Sequence, residues 1–348
     1  MPAPGLPAQP PSAPGLPAQP PSAPGPAAPA GPASGPELPA RLPPVVGPGW
    51  VAAHLDELVL ADVRWYLDGR SGHRAYLAGH LPGAVWVDVD TDLSAPPSTA
   101  GGRHPLPEPE EFARRLGRLG IADDDTVVAY DDRGGGFAAR LVWLLRRLGR
   151  PAALLDGGLA GWTGPRATGQ VERPAVVREP RAWPPDLLRT ADDTQAAAAS
   201  PSSAVLDSRA AGRYSGADAL PGETRLGHVP GALSAPWTAN LAADGRFLSP
   251  GELRSRFAEL GVAEADEVIV HCGSGVTACH NLLALEYAGL PGATLFVGSW
   301  SAWSADGSRP VVTGDLPAGA QPDVPDGVPA EENGHPPAGV PAEQDGTP

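Results

Sequence analysis

Gly79-His80-Leu81-Pro82-Gly83-Ala84 returns later in the chain as Gly227-His228-Val229-Pro230-Gly231-Ala232, and each box follows an Asp-x-Arg triplet, Asp62-Val63-Arg64 and Asp207-Ser208-Arg209. Self-similarity at long range marks a duplicated structural unit. The downstream spacing keeps step. Val127-Val128-Ala129-Tyr130-Asp131 answers to Val268-Ile269-Val270-His271-Cys272, and Leu155-Asp156-Gly157-Gly158 answers to Phe296-Val297-Gly298-Ser299. Within each copy short apolar runs alternate with amphipathic segments. The patterns predict strands at Val59–Asp62, Thr126–Tyr130, Val205–Asp207 and Glu267–His271, and helices at Pro109–Leu119, Gly136–Leu148, Pro250–Leu260 and Val276–Ala288. That alternation implies an α/β fold, two tandem units each with a mostly parallel sheet flanked by helices.

The copies are expected at 45–170 and 187–313, joined by a linker at 171–186. The ends differ in composition. A decapeptide, Ala-Pro-Gly-Leu-Pro-Ala-Gln-Pro-Pro-Ser, occurs twice between Ala3 and Ser22, and Gly-Val-Pro-Ala-Glu occurs twice after residue 326. Proline at this density forbids helix and sheet, so 1–44 and 314–348 are expected to be disordered.

The net charge of −15 is partly local, because Asp315, Asp323, Asp326, Glu331, Glu332, Glu343 and Asp345 sit in the final segment without a basic residue. Acidity of this kind disfavours nucleic acid. All 25 basic residues are arginine, which removes every lysine-dependent mechanism. No apolar run is long enough to span a bilayer, no secretory leader is visible, and two cysteines make no disulfide framework. A cytoplasmic location, with no membrane association, is the expectation.

In such sheets ligands bind beyond the carboxyl ends of the strands, where both Asp131 and Cys272 fall. Cys272-Gly273-Ser274-Gly275-Val276-Thr277-Ala278 joins an apolar strand to a helix. Its glycines allow a tight turn with N–H groups directed inward, and the helix adds its positive end, an environment that favours a reactive thiolate. The surrounding glycines argue against burial in a packed core. Asp131-Asp132-Arg133-Gly134-Gly135-Gly136 occupies the same place in the first copy without a thiol, so that copy reads as a degenerate scaffold lending one wall of the cleft.

The tandem layout, the two Gly-His-x-Pro-Gly-Ala boxes, Leu155-Asp156-Gly157-Gly158 and the cysteine loop resemble the two-domain rhodanese family of sulfurtransferases over about residues 45–313. The Cys-Gly-Ser-Gly-Val-Thr loop is similar to that of 3-mercaptopyruvate sulfurtransferases, whereas thiosulfate sulfurtransferases carry charged residues after the cysteine. The resemblance implies a sulfane sulfur taken from 3-mercaptopyruvate as a Cys272 persulfide, pyruvate released, and the sulfur passed to cyanide or to a thiol such as thioredoxin or a small thiol. It implies a relay of Ser274, His104 and Asp90, and carboxylate binding by Arg213, with Arg225 as a second arginine. Gly273, Gly275, Val276 and Thr277 complete the substrate loop, and no metal or organic cofactor is implied.

Alternatives are a thiosulfate sulfurtransferase, a non-catalytic rhodanese-like binding module, and a phosphatase or arsenate reductase. The last needs Cys-x5-Arg, and the sixth residue past Cys272 is Ala278. His80 and His228 are expected to tie loop backbone, Asp207 and Arg209 to form a structural pair, Cys279 to be buried in its helix, and Trp300 and Trp303 to pack. His271 points away from Cys272 along its strand and is not expected to be the base.

Overall fold

The structure, a computed structural model, describes residues 42–315 together with Met1 and Gly5. The expected disorder of the two ends therefore lies almost wholly outside the described residues. Two five-stranded sheets repeat one topology. The first contains β1 (Val45–Val46), β2 (Leu58–Asp62), β3 (Val85–Trp86), β4 (Thr126–Tyr130) and β5 (Ala152–Leu155), in the order β1-β5-β4-β2-β3. The second contains β6 (Leu188–Arg189), β7 (Ser203–Asp207), β8 (Leu233–Ser234), β9 (Glu267–His271) and β10 (Thr294–Phe296), in the order β6-β10-β9-β7-β8. Every pairing is parallel.

The interior strand β2, Leu-Val-Leu-Ala-Asp, is buried along its whole length because helices cover both faces of the sheet. The flanking helices Pro109–Arg118, Ala138–Arg147, Pro250–Glu259 and Ala278–Tyr287 fall where the apolar periodicity placed them. Two of them start later than that periodicity implies, because residues 134–137 and 274–277 are used to build loops. The Pro250–Glu259 helix begins on a reciprocal cap, Ser249 with Glu252, and has Pro250 in its first turn.

The paired boxes have a mechanical role. Arg64 grips Asp62 at 2.7 Å and donates onward to the Gly79 carbonyl at 2.7 Å. In the second copy Arg209 grips Asp207 at 2.6 Å and donates to the Gly227 carbonyl at 2.8 Å. Each box histidine stacks on a tyrosine, His80 on Tyr76 and His228 on Tyr214. Its Nδ1 lies 2.9 Å from that tyrosine's carbonyl. Both histidines thus tie loop backbone, as their position before a Pro-Gly turn implies.

One continuous hydrophobic core runs through both repeats, from Val59 and Leu141 to Leu206 and Leu283. The Ala138–Arg147 helix packs against Ala278–Tyr287, and Glu286 accepts from both Arg146 and Arg147, the latter at 2.6 Å. Between Gly161 and Pro185 the chain runs without helix or strand over the first repeat, with the Val176 N–H on the Gly117 carbonyl and the Trp183 indole on the Pro107 carbonyl.

The first repeat fills its own turn with a carboxylate. Asp131 is fully buried and accepts from the backbone N–H groups of Arg133, Gly135, Phe137 and Ala138 at 2.8–3.0 Å. Burial pushes its carboxyl upward against the pull of these donors. Asp131→Ala leaves the donors without an acceptor and is expected to cost roughly 3–5 kcal/mol, read as a lower denaturant midpoint, with Asp131→Asn costing less.

Candidate active site

Cys272 follows the last residue of β9, and its loop is the counterpart of the Asp131 turn. The Sγ lies 3.1 Å from the Gly275 N–H and 3.5 Å from that of Ser274. Gly275 has φ 77°, a conformation that favours glycine, and a Cβ there would stand 2.6 Å from the Val297 carbonyl oxygen. The loop is fastened from behind by the first turn of the helix Ser299–Ala305. The Cys272 N–H donates to Ser299 Oγ at 3.2 Å, while Trp300 and Ser301 N–H groups donate to the Cys272 and Gly273 carbonyls. Ser299 itself is buried in the left-handed region, φ 52°, a strained position held by these contacts.

Contrary to the expectation drawn from the glycines, Cys272 is only 1 % exposed. The loop curls so tightly that its own backbone covers the sulfur, which forms part of the floor of a cleft of about 390 Å³ between the two repeats. The roof comes from the first repeat, with Trp65, Asp90, Arg103, His104 and Phe137 facing Gly273, Ser274, Val276 and Thr277.

Across this cleft the three relay residues meet. His104 Nε2 is 2.8 Å from Asp90 Oδ1, and His104 Nδ1 is 2.7 Å from Ser274 Oγ. An ionised carboxylate only accepts, so Nε2 carries the proton toward Asp90 and Nδ1 accepts from the serine hydroxyl. Trp65 Nε1 donates to the other Asp90 oxygen at 2.9 Å. The hydrogen bond from His104 holds the Asp90 carboxyl below the usual carboxylate range, with burial opposing it and the Trp65 bond assisting.

Arg213 lines the cleft, next to Gly273, where a Cβ would meet its guanidinium at 3.1 Å and that of Arg103 at 3.0 Å. Glu223 pairs with Arg213 and lies 3.8 Å from Arg103. Burial would raise the Glu223 carboxyl, but the Leu220 N–H and Arg213 outweigh it and hold it low. Arg225 does not line the cleft. Its guanidinium is spent on the Asp306 and Arg309 carbonyls at 2.7 and 2.6 Å. The cleft's second guanidinium is Arg103, one residue before His104 and silent in the sequence pattern.

The remaining marked residues stand apart from the chemistry. Cys279 is fully buried, its thiol pushed up to about 12 by burial. His271 is buried 4.0 Å from Asp207, with burial depressing its basicity. Trp300 and Trp303 are core residues.

A sulfur cradled by N–H groups, flanked by a Ser-His-Asp chain and faced by guanidinium groups, defines a thiol enzyme that handles an anionic substrate and can hold a transferred group on sulfur. The rhodanese-like domain family matches at residues 47–165 and again at 190–306. A probable 3-mercaptopyruvate sulfurtransferase of Pseudomonas aeruginosa is 45% identical over 76% of the chain and 96% of its own length. A putative thiosulfate sulfurtransferase of Mycobacterium tuberculosis is 39% identical over 74% of the chain and 92% of its own. The crystal structure of a 3-mercaptopyruvate sulfotransferase from Escherichia coli superposes with a TM-score of 0.63 at 34% identity, over 74% of the chain and 99% of the neighbour. The chain belongs to the rhodanese family, as a two-domain sulfurtransferase. It therefore acts on a sulfur donor and a sulfur acceptor. Among the described residues no helix is long and apolar enough to cross a membrane.

Proposed function

We propose that the chain moves a sulfane sulfur from 3-mercaptopyruvate through a Cys272 persulfide to a thiol or cyanide, releasing pyruvate. The observation that carries this reading is the Asp90-His104-Ser274 chain ending beside the Cys272 loop. In the first half-reaction the Cys272 thiolate attacks the donor sulfur, the carbon–sulfur bond breaks, and its electrons leave as the enolate of pyruvate. The donor's S–H proton must reach that enolate carbon, and the Ser274-His104 pair supplies the path. In the second half-reaction an acceptor thiolate or cyanide attacks the outer sulfur and Cys272 departs as thiolate.

Arg213 and Arg103 suit the donor carboxylate, and the Ser274 and Gly275 N–H groups suit the anionic sulfur. The neutral Gly273 and Ser274 beside the nucleophile favour a donor that needs proton transfer over a dianion that needs cations. In this reading 187–313 is the catalytic domain, and 45–170 supplies base and roof without a nucleophile of its own. A thioredoxin or small-thiol acceptor and a cytoplasmic location fit two unpaired cysteines.

The test is steady-state transfer to cyanide and to a dithiol with 3-mercaptopyruvate or thiosulfate as donor. A kcat/KM at least about tenfold higher for mercaptopyruvate is expected. Arg213→Gln should raise its KM by about 10- to 100-fold, the loss of one charge-assisted contact, with kcat changed less. Preference for thiosulfate would assign the chain to the other donor. Absence of turnover with both in folded protein would leave a binding module.

A further inference from the structure

Arg140 lies in the Ala138–Arg147 helix of the first repeat and is completely buried. All of its hydrogen bonds go to backbone carbonyls, and they join three separate segments. Nη1 donates to Gly275 in the cysteine loop at 2.9 Å. Nη2 donates to His104 at 2.8 Å, and to Pro105 and Leu93 at 3.2 Å, while Nε reaches Leu93 at 3.3 Å. The carbonyl next to the base and the carbonyl of the glycine that cradles the sulfur thus hang on one guanidinium.

A buried guanidinium without a carboxylate is costly, and the fold would be expected to neutralise or replace it. Burial pulls Arg140 downward, yet arginine starts so high that it stays charged. The acidic groups near enough to feel it are Cys279 and Cys272. Cys279 is neutral at physiological pH, with its thiol pushed up to about 12. The corresponding residue of the second repeat, nine places after Cys272 as Arg140 is nine after Asp131, is the uncharged Asn281, which bonds Ser208 and Ala235. The charge is therefore found only in the repeat that lacks the nucleophile, and it is aimed at the loop that carries it.

We infer that Arg140 is a positioning residue of the sulfur-carrying site: it clamps the His104 loop to the Cys272 loop, and its unpaired charge serves as counter-ion to the sulfur anion on Cys272. The inference rests on Cys272 being the nucleophile. Other charged or titratable groups lie on the elements packed around that sulfur. Arg103 and the His104-Asp90 pair come from the first repeat. Arg213 with Glu223, Arg209 with Asp207, His271 and Cys279 come from the second. Arg213 and Arg209 each have a carboxylate partner, and Arg103 shares Glu223 at longer range, whereas Arg140 has only carbonyls.

The experiment is the pH dependence of iodoacetamide alkylation at Cys272, located by mass spectrometry, with thermal midpoints recorded for each variant. In Arg140→Gln the midpoint of the profile should rise by about one unit, the usual effect of removing a nearby opposite charge. Arg140→Lys keeps the charge but loses the fork, so its midpoint should stay near wild type while kcat falls severalfold. Cys279→Asp hands Arg140 a carboxylate within the first turn of the Ala278–Tyr287 helix and should raise the midpoint even if Arg140→Gln fails to fold. Wild-type midpoints in folded Arg140→Gln or Cys279→Asp would overturn the inference, as would an equal rise in Arg140→Lys. Turnover surviving in Cys272→Ser would instead overturn the nucleophile assignment, so the two failures are distinguishable.

Discussion

Cys272→Ser should abolish sulfur transfer from either donor, lowering kcat by about 10⁴-fold or more, with a folded protein and an unchanged thermal midpoint. The serine hydroxyl fits the space of the thiol and can use the same Gly275 N–H. It is un-ionised at neutral pH and cannot hold a sulfane sulfur as a persulfide. Mass spectrometry after incubation with donor and without acceptor should find one added sulfur on Cys272 in the wild type and none in the variant. Residual turnover above about a tenth of wild type would move the nucleophile elsewhere. Cys279 is the other described thiol, and it is ill suited, being fully enclosed, hydrogen-bonded to the Gly275 carbonyl at 3.4 Å and held protonated by burial.

Removing the base should separate the two donors. His104→Asn is expected to lower kcat with 3-mercaptopyruvate by about 10²- to 10³-fold, in the range of a lost general acid–base group. Thiosulfate carries no thiol proton and leaves as sulfite, so its transfer through the same Cys272 should change severalfold at most. Equal losses with both donors would show that His104 supports the loop and moves no proton. Asp90 gives a pH signature to the same chain. Its carboxyl is depressed by the His104 hydrogen bond, so the stabilisation it gives is present above its ordinary value and disappears as pH falls through the depressed one. Between about pH 6 and 8 it stays ionised, and Asp90→Asn should lower mercaptopyruvate turnover uniformly across that window.

Much of the architecture was legible because duplication supplied an internal control. The bounds of β4 and β9 agree with the readings at Thr126–Tyr130 and Glu267–His271, since strands covered on both faces carry near-continuous apolar runs, here Val127-Val128-Ala129 and Val268-Ile269-Val270. The short edge strands β1, β3, β6 and β8 were not read, since two residues show no period. At the site, Cys272, Ser274 and His104 stood out by loop chemistry and by family resemblance. Their meeting depends on the docking of one repeat against the other, which no local pattern encodes. Arg103 and Arg140 were missed for that reason. Arg140 lies in Ala-Ala-Arg-Leu-Val-Trp-Leu-Leu-Arg-Arg, where it reads as a residue of a solvated helix face until the second repeat covers it. Arg225 erred in the opposite sense, because proximity to the Gly-His box in sequence did not imply proximity to the cleft. Ser299 could have been suspected from its equal spacing with Gly158 after the loop residue, a place where the first repeat uses a glycine at φ 51°.

The split of the site between the repeats has a consequence for biosynthesis. The amino-terminal repeat leaves the ribosome first, and its own cradle is filled by Asp131, so it emerges with no reactive sulfur on board. The thiol arrives only with β9, late in translation, and gains its base and roof when the finished repeats close on each other. An interrupted or clipped product that retains either half carries only part of the machinery. Completion of the chain thereby acts as the licence for handling labile sulfur.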